Sequence, residues 1–298
     1  MVREKRIDIG AINITMHPHS PKQYVTMMKD VFKLRKSAQM WGDQQAIITS
    51  MRQQDDSLVK GEPPLVGDIF KYTKIDMDGD WFNINNSGFA TEEDLDSIKI
   101  PEHLKPNSAR FSYIFFPDQH LLFYEGYYNG KSLSAGSAER FFERVLNQSS
   151  ITNKYGAVNV THVPGEDALD SALKMYHKDY ISMEIKRPNP DDHAEVEREV
   201  MERMKARNVA HYEQNYKAEK GKSIEIDESL GVMARVAAKN GNFEVRGKDV
   251  NGHPERLSTK EHPWRYSEYY NPNVELAFEV FRRRASKMKD TIMEWLKG

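Results

Sequence analysis

Two runs of large apolar residues, Phe111 to Phe116 and Leu121 to Tyr128, stand on either side of Pro117-Asp118-Gln119-His120. A four-residue connection carrying proline and aspartate suits a turn, and strands joined so closely run antiparallel. This central hairpin favours an antiparallel arrangement over a purely parallel sheet. Further strand patterns lie at Ala46 to Ile48, Ile69 to Ile75, Trp81-Phe82 and Val158 to Val163. In Tyr180 to Arg187 the apolar Ile181, Met183 and Ile185 alternate with Ser182, Glu184 and Lys186. Helical patterns separate them at about Ser137 to Gln148 and Asp167 to Tyr176. The expected class is α+β, with a mixed or largely antiparallel sheet and flanking helices.

At the N-terminus, Ile7 and Ile9 alternate with polar or small residues, and so do Ile12, Ile14 and Met16, but the phase slips by one at Gly10-Ala11. A slip of that kind predicts a β-bulge. Ser20-Pro21 then supplies an N-cap and a proline for the first helical position. The helical spacing continues through Tyr24, Met27, Met28, Val31, Arg35, Ala38 and Trp41. Gln53 to Pro64 reads as a loop.

Composition changes after Pro188-Asn189-Pro190-Asp191-Asp192, where a long charged helix is expected from His193 to about Lys217. A second helix has Asp227 as its N-cap and Asn240-Gly241 as its stop. Phe243 to Arg246 and Glu255 to Ser258 form a hairpin across Asn251-Gly252, and an amphipathic helix follows from about Leu276 to Trp295. The helix with its hairpin has the outline of a winged helix. A chain of 298 residues accommodates two units of ordinary size. The reading is an α+β core at 1–190 and a smaller helix-helix-hairpin-helix module at 191–298.

With 39% hydrophobic and 30% charged residues, the composition is that of a water-soluble globular protein. Apolar stretches such as Tyr113 to Phe116 fall far short of the ~20 residues of a membrane helix. Met1 to Arg6 leads directly into the strand pattern without the apolar run of a secretory signal, so a cytoplasmic location is expected. Zero cysteines exclude disulfides, thiolate metal sites and cysteine nucleophiles. No Walker motif, dinucleotide glycine fingerprint or serine nucleophile elbow occurs, so no nucleotide cofactor is expected.

A formal net charge of -2 gives no overall pull toward nucleic acid, so DNA or RNA binding requires a local basic face. The final third offers one: Lys260, Arg265 and Tyr266, followed by Arg282, Arg283 and Lys287, set phosphate-binding cations beside stackable rings. Its acidic neighbours, Glu275 and Glu279 among them, are also those of an ordinary solvated helix face. The enzyme alternative is a nuclease. Asp167 or Asp170 with Glu184 and Lys186 would hold magnesium through two carboxylates and activate water with the lysine, as in an aspartate plus Glu-x-Lys site. The same Glu184 and Lys186 are ordinary on the polar face of a half-buried strand. No other cofactor is expected. Asp76-Met77-Asp78-Gly79-Asp80 lacks the remaining ligands of a calcium loop and reads as a turn. His17 and His19 flank a proline with no carboxylate beside them.

Several segments together resemble domain-of-unknown-function family 4747. They are Gly67-Asp68-Ile69-Phe70-Lys71-Tyr72 leading to Asp76 and Trp81, Leu146-Asn147-Gln148, Ile185 through Asp192, and Leu257-Ser258-Thr259-Lys260 with His262-Pro263. They follow one another along nearly the whole chain. The resemblance implies a gene of the kind carried by mobile elements and prophages, hence an accessory protein of phage defence. Its partner would be nucleic acid, a phage or other protein, or a second copy of itself. It supplies no catalytic residues. A purely structural interaction module is the remaining class.

Overall fold

Alternating apolar residues on both faces of one strand can be satisfied only if the strand lies between two covered layers, and the first strand of this chain does. The computed structural model describes residues 3–18, 20–54, 61–187 and 195–297. Strand β1 (Lys5–Met16) leads to helix α1 (Pro21–Leu34), capped by Ser20, whose hydroxyl accepts from the Gln23 amide. Strands β2 (Ala38–Trp41), β3 (Gln44–Gln53) and β4 (Leu65–Thr73) follow. An excursion then carries the short strands β5 (Phe82–Asn83) and β6 (Gly88–Phe89) and the helix α2 (Glu92–Asp96). Next come the central hairpin of β7 (Ala109–Phe116) and β8 (Leu121–Tyr128), the short β9 (Lys131–Ser132), α3 (Ala135–Leu146), α4 (Ser149–Tyr155) and β10 (Val158–His162). Helix α5 (Glu166–Leu173) and β11 (His177–Lys186) precede α6 (Glu195–Ala206), β12 (His211–Lys217) and α7 (Glu228–Asn240). The chain continues through β13 (Gly241–Lys248), β14 (Pro254–Ser258), β15 (Arg265–Tyr270) and α8 (Ala277–Lys297).

Nine strands form the large antiparallel sheet, in the order β10-β1-β8-β7-β4-β3-β2, with β15 also on β1 and β9 on β8. One edge of β1 is divided between two partners, β15 along Lys5 to Gly10 and β10 along Ile12 to Met16. Ile12, Ile14 and Met16 point to the face covered by α1, α3 and α4, where Tyr24, Phe141 and Phe142 are fully buried. Ile7, Ile9 and Ala11 point to the other face, under Val280, Phe281 and Ala285 of α8. The apolar slip at Gly10-Ala11 therefore is not a bulge in β1. It marks the place where the apolar side chains change from one covered face to the other. The irregularity in pairing falls between Asp8 and Ile9 against β8, where Gly126 is the extra residue.

Gly10 itself serves a different purpose. It stands opposite Tyr124, and a Cβ there would fall inside the Tyr124 ring. Gly10→Ala should displace that ring from its fully enclosed position, with an expected loss of about 1 to 3 kcal/mol in denaturant unfolding. Unfolding at the wild-type midpoint would mean that the ring has room to move aside.

The second sheet, β12-β11-β13-β14, is antiparallel throughout. Ile181, Met183, Ile185, Phe243 and Val245 pack on α5, α6 and α7 through Leu169, Ala172, Val200, Met204, Leu230, Ala234 and Ala237. The helix-helix-hairpin-helix order expected after residue 190 is present as α6, α7, β13–β14 and α8, with β12 and β15 added, and β15 and α8 join the large sheet. Its hairpin is not the free wing of a winged helix, since β13 pairs with β11 along most of its length. Two helices end earlier than their apolar spacing predicts. Arg35 takes a left-handed conformation that stops α1, leaving Ala38 and Trp41 in β2. His211 to Lys217 is strand β12, whose Tyr212, Gln214 and Tyr216 alternate with exposed residues. The expected start of the charged helix at His193, the Pro188 to Asp192 segment, His19 and residues 55–60 of the expected loop lie outside the described residues. No described helix is long and apolar enough to cross a membrane.

Candidate nucleic-acid interface

Helices α5, α6 and α7 cover one face of the second sheet, so strand alternation places every second side chain of β11 to β14 on the opposite, polar face. On β11, Tyr180 stands opposite Lys217 on one side and Arg246 on the other. Ser182 stands between Asn215 and Glu244, and Glu184 between Glu213 and Asn242. The Tyr180 hydroxyl donates to Asn215 Oδ1 at 2.8 Å, and the Arg246 guanidinium lies 5.3 Å from the centre of the Tyr180 ring. Beneath it Glu244 accepts from Arg256 at 2.7 Å and Arg246 at 2.6 Å. The Arg256 hydrogen bond, with that of Arg246, outweighs burial and holds the Glu244 carboxyl below its usual range. The face thus presents one tyrosine among guanidinium, ammonium and amide groups, with the carboxylates of Glu184, Glu213 and Glu244 toward its middle and far end.

At its far end the face meets the large sheet. Lys186 donates to the Val160 carbonyl at 3.4 Å and lies 3.8 Å from Glu143 of α3. Beside it Glu139 of α3 and His162 of β10 form a close carboxylate–imidazole pair through His162 Nδ1, with His162 buried and Glu139 largely so. Burial works to raise the Glu139 carboxyl, but the His162 hydrogen bond and charge, together with Lys260 and Lys186, hold it below its usual range. Close by, Asp8 is enclosed by Arg265, by Arg6 at 2.7 Å and by the Ser267 hydroxyl at 2.7 Å. Tyr124, pushed up by burial, lies between the two groups and feels the charges of both Glu139 and Arg265.

The sequence matches Domain of unknown function (DUF4747) over residues 5–286. The chain belongs to this family. That span takes in both sheets, the Glu139–His162 pair and half of α8, and it accounts for the resemblance carried by Gly67 to Tyr72 and Leu257 to Lys260. No curated protein matches the sequence.

In this DUF4747 chain the residues singled out from sequence do not gather at one place. Asp167 and Asp170 are exposed on α5, and Asp170 pairs with Lys174 at 3.4 Å. Helix α5 covers the apolar face of the second sheet, whereas Glu184 and Lys186 project from the opposite face. Glu184 lies 3.9 Å from His211 instead. The four residues therefore do not share a divalent ion, and among the described residues no group of three histidines or carboxylates is placed to hold a metal. Asp76 accepts from the Asp78 amide at 3.2 Å, as in a turn, and the His17 ring lies 3.3 Å from the Arg187 carbonyl.

The expected basic segment divides in the same way. β15 is a strand, so the adjacent Arg265 and Tyr266 point to opposite faces of the large sheet, Arg265 to Asp8 and Tyr266 to α8. On α8, Arg282 is held by Glu279 at 2.8 Å and Arg283 by Glu275, while Lys287 is exposed. Lys260 is exposed near Glu139, its amide donating to Asn242 Oδ1 at 3.0 Å. Glu139 and His162 carried no motif, being 23 residues apart on a helix and an edge strand. The one available signal is that His162 occupies an inward position in the alternation begun by Val158 and Val160.

Proposed function

We propose that this DUF4747 protein binds single-stranded nucleic acid across the polar face of its second sheet, as a cytoplasmic accessory protein of phage defence or of a mobile element. The observation that carries the reading is Tyr180 on an inner strand, flanked by Lys217, Asn215 and Arg246 on the face opposite the one that α5, α6 and α7 cover. A base stacked on such a ring gains about 1 to 3 kcal/mol, and neighbouring cations follow the phosphates. The low net charge of the chain is compatible with this, because the contact is local. The defence setting rests on the family resemblance alone.

Fluorescence anisotropy with short single-stranded DNA and RNA, at low and moderate salt, tests the proposal. Tyr180→Ala is expected to weaken binding on the order of tenfold. Lys217→Ala should lower the slope of log affinity against log salt by roughly one unit. Lys287→Ala, on the far side of the large sheet, should change neither. Absence of affinity for every strand at low salt would eliminate nucleic acid and leave a protein partner.

A further inference from the structure

Between β4 and β7 the chain leaves the large sheet for residues 74–108, and not one of these residues is buried. The excursion is nevertheless ordered by local bonds. Phe82 pairs across β5–β6 with Phe89, the Ala90 amide donates to the Trp81 carbonyl at 2.7 Å, and Asn83 donates to Asp94 at 2.9 Å. Thr91 and Asp94 complete a capping box on α2. Its large apolar side chains point outward: Phe82 is 68% exposed, Ile84 80%, Phe89 76% and Leu104 55%. Trp41, where β2 ends, and Leu276, beyond the end of β15, are exposed at the same end of the large sheet, since β2, β4, β8 and β15 all finish there. A folded segment that spends its aromatic residues on the surface, with Phe82 and Phe89 directly opposite each other, has the character of an interface rather than of a core.

The charge of the segment selects the partner. Residues 74–107 carry eight carboxylates against three lysines, a net of -5 in a chain whose total is -2. Two copies meeting through this segment would bring like charges together. The arginines of α8 do not offer a complementary surface on a second copy either, as Arg282, Arg283 and Arg284 each sit on a glutamate. We infer that this end of the large sheet docks a basic segment of another protein, one that presents apolar anchors on one side and lysines or arginines around them. The phenyl rings of Phe82 and Phe89 would receive the anchors, and the acids of α2 and its neighbours would receive the cations. This surface is separate from the polar face of the second sheet, and its test does not depend on nucleic acid.

A labelled amphipathic peptide of leucine and lysine, with a leucine–glutamate peptide of the same pattern as control, serves as the probe for the full-length protein. The lysine peptide should bind in the micromolar range and the glutamate peptide should not. The double variant Phe82→Ser with Phe89→Ser, and separately Glu92→Gln with Glu93→Gln and Asp96→Asn, should each weaken binding on the order of tenfold. The melting temperature should stay at the wild-type value, because none of these side chains is buried. Equal binding to the serine variant, or equal binding of both peptides, would overturn the proposal. So would light scattering that finds a dimer dissolved by the serine variant, which would assign the surface to a second copy.

Discussion

Phe123→Ala should lower the melting temperature on the order of 10 °C. Phe123 is fully enclosed between the large sheet and α8, with its ring centre 5.9 Å from that of Phe116 and 5.8 Å from that of Trp264, both edge to face. Truncation removes the transfer free energy of the ring and leaves a cavity that Phe281 and Val280, anchored on a helix, fill only in part. The expected cost is about 3 to 5 kcal/mol, and in a domain of this size each kcal/mol shifts the transition by about 2 to 4 °C. Phe141→Ala, on the opposite face under α3, should cost a similar amount. Leu276→Ala, 73% exposed just before α8, should cost almost nothing. Calorimetry on the three variants distinguishes a sheet held from both sides from one that depends on a single helical layer. A small effect of Phe123→Ala beside a large one of Phe141→Ala would mean that α8 is an accessory cover.

Asp8→Asn should cost about 2 to 3 kcal/mol at neutral pH, and the cost should shrink in acid. The Asp8 side chain is 1% exposed and receives hydrogen bonds from Arg6, Arg265 and Ser267. Charged hydrogen bonds of this kind are worth about 1.5 to 3 kcal/mol, and here the two arginines reach water and can be solvated when their partner is lost. Burial alone would raise the Asp8 carboxyl, but the hydrogen bonds from Arg6, Ser267 and Arg265 outweigh it and hold the group below its ordinary value of 3.8. A carboxyl depressed by folding contributes stability that is fully present above that ordinary value and is lost as pH falls through the lower folded one. The difference between wild type and Asp8→Asn, measured by chemical denaturation, should therefore be constant at neutral pH and close below about pH 3.8. Glu139, depressed in the same direction, is present in both proteins and cancels in the difference. A difference that persists unchanged at acid pH would assign the effect to the shape of the side chain instead of its charge.

Local chemistry made much of the fold legible. The central hairpin, the Ser20-Pro21 helix start, the Asp227 cap and the turn at Asn251-Gly252 depend on residues within a few positions of one another, and all are found where expected. What failed depended on distant partners. The spacing of Arg35, Ala38 and Trp41 continues a helical period, but the pairing of β2 with β3 and the left-handed Arg35 overrule it. Lys205 and Lys217 look alike in a charged run, yet β11 draws the second into a strand. At the site the same lesson is sharper. Arg265 and Tyr266 are neighbours in sequence and opposites in space, because a strand separates adjacent side chains. Glu139 and His162 are distant in sequence and in contact because α3 packs over β10.

The divided edge of β1 also sets a timetable for the newborn chain. Its first half is completed by β15, so residues 5 to 10 leave the ribosome about 260 positions before the strand that will pair with them. At roughly 5 to 20 residues per second that interval is on the order of 15 to 50 s. Throughout it, one edge of an isoleucine-rich strand stands unpaired, which is the kind of surface that other nascent chains and chaperones recognise. The protein is thus most vulnerable during its own synthesis, and a chain cut short before residue 265 would carry that open edge permanently.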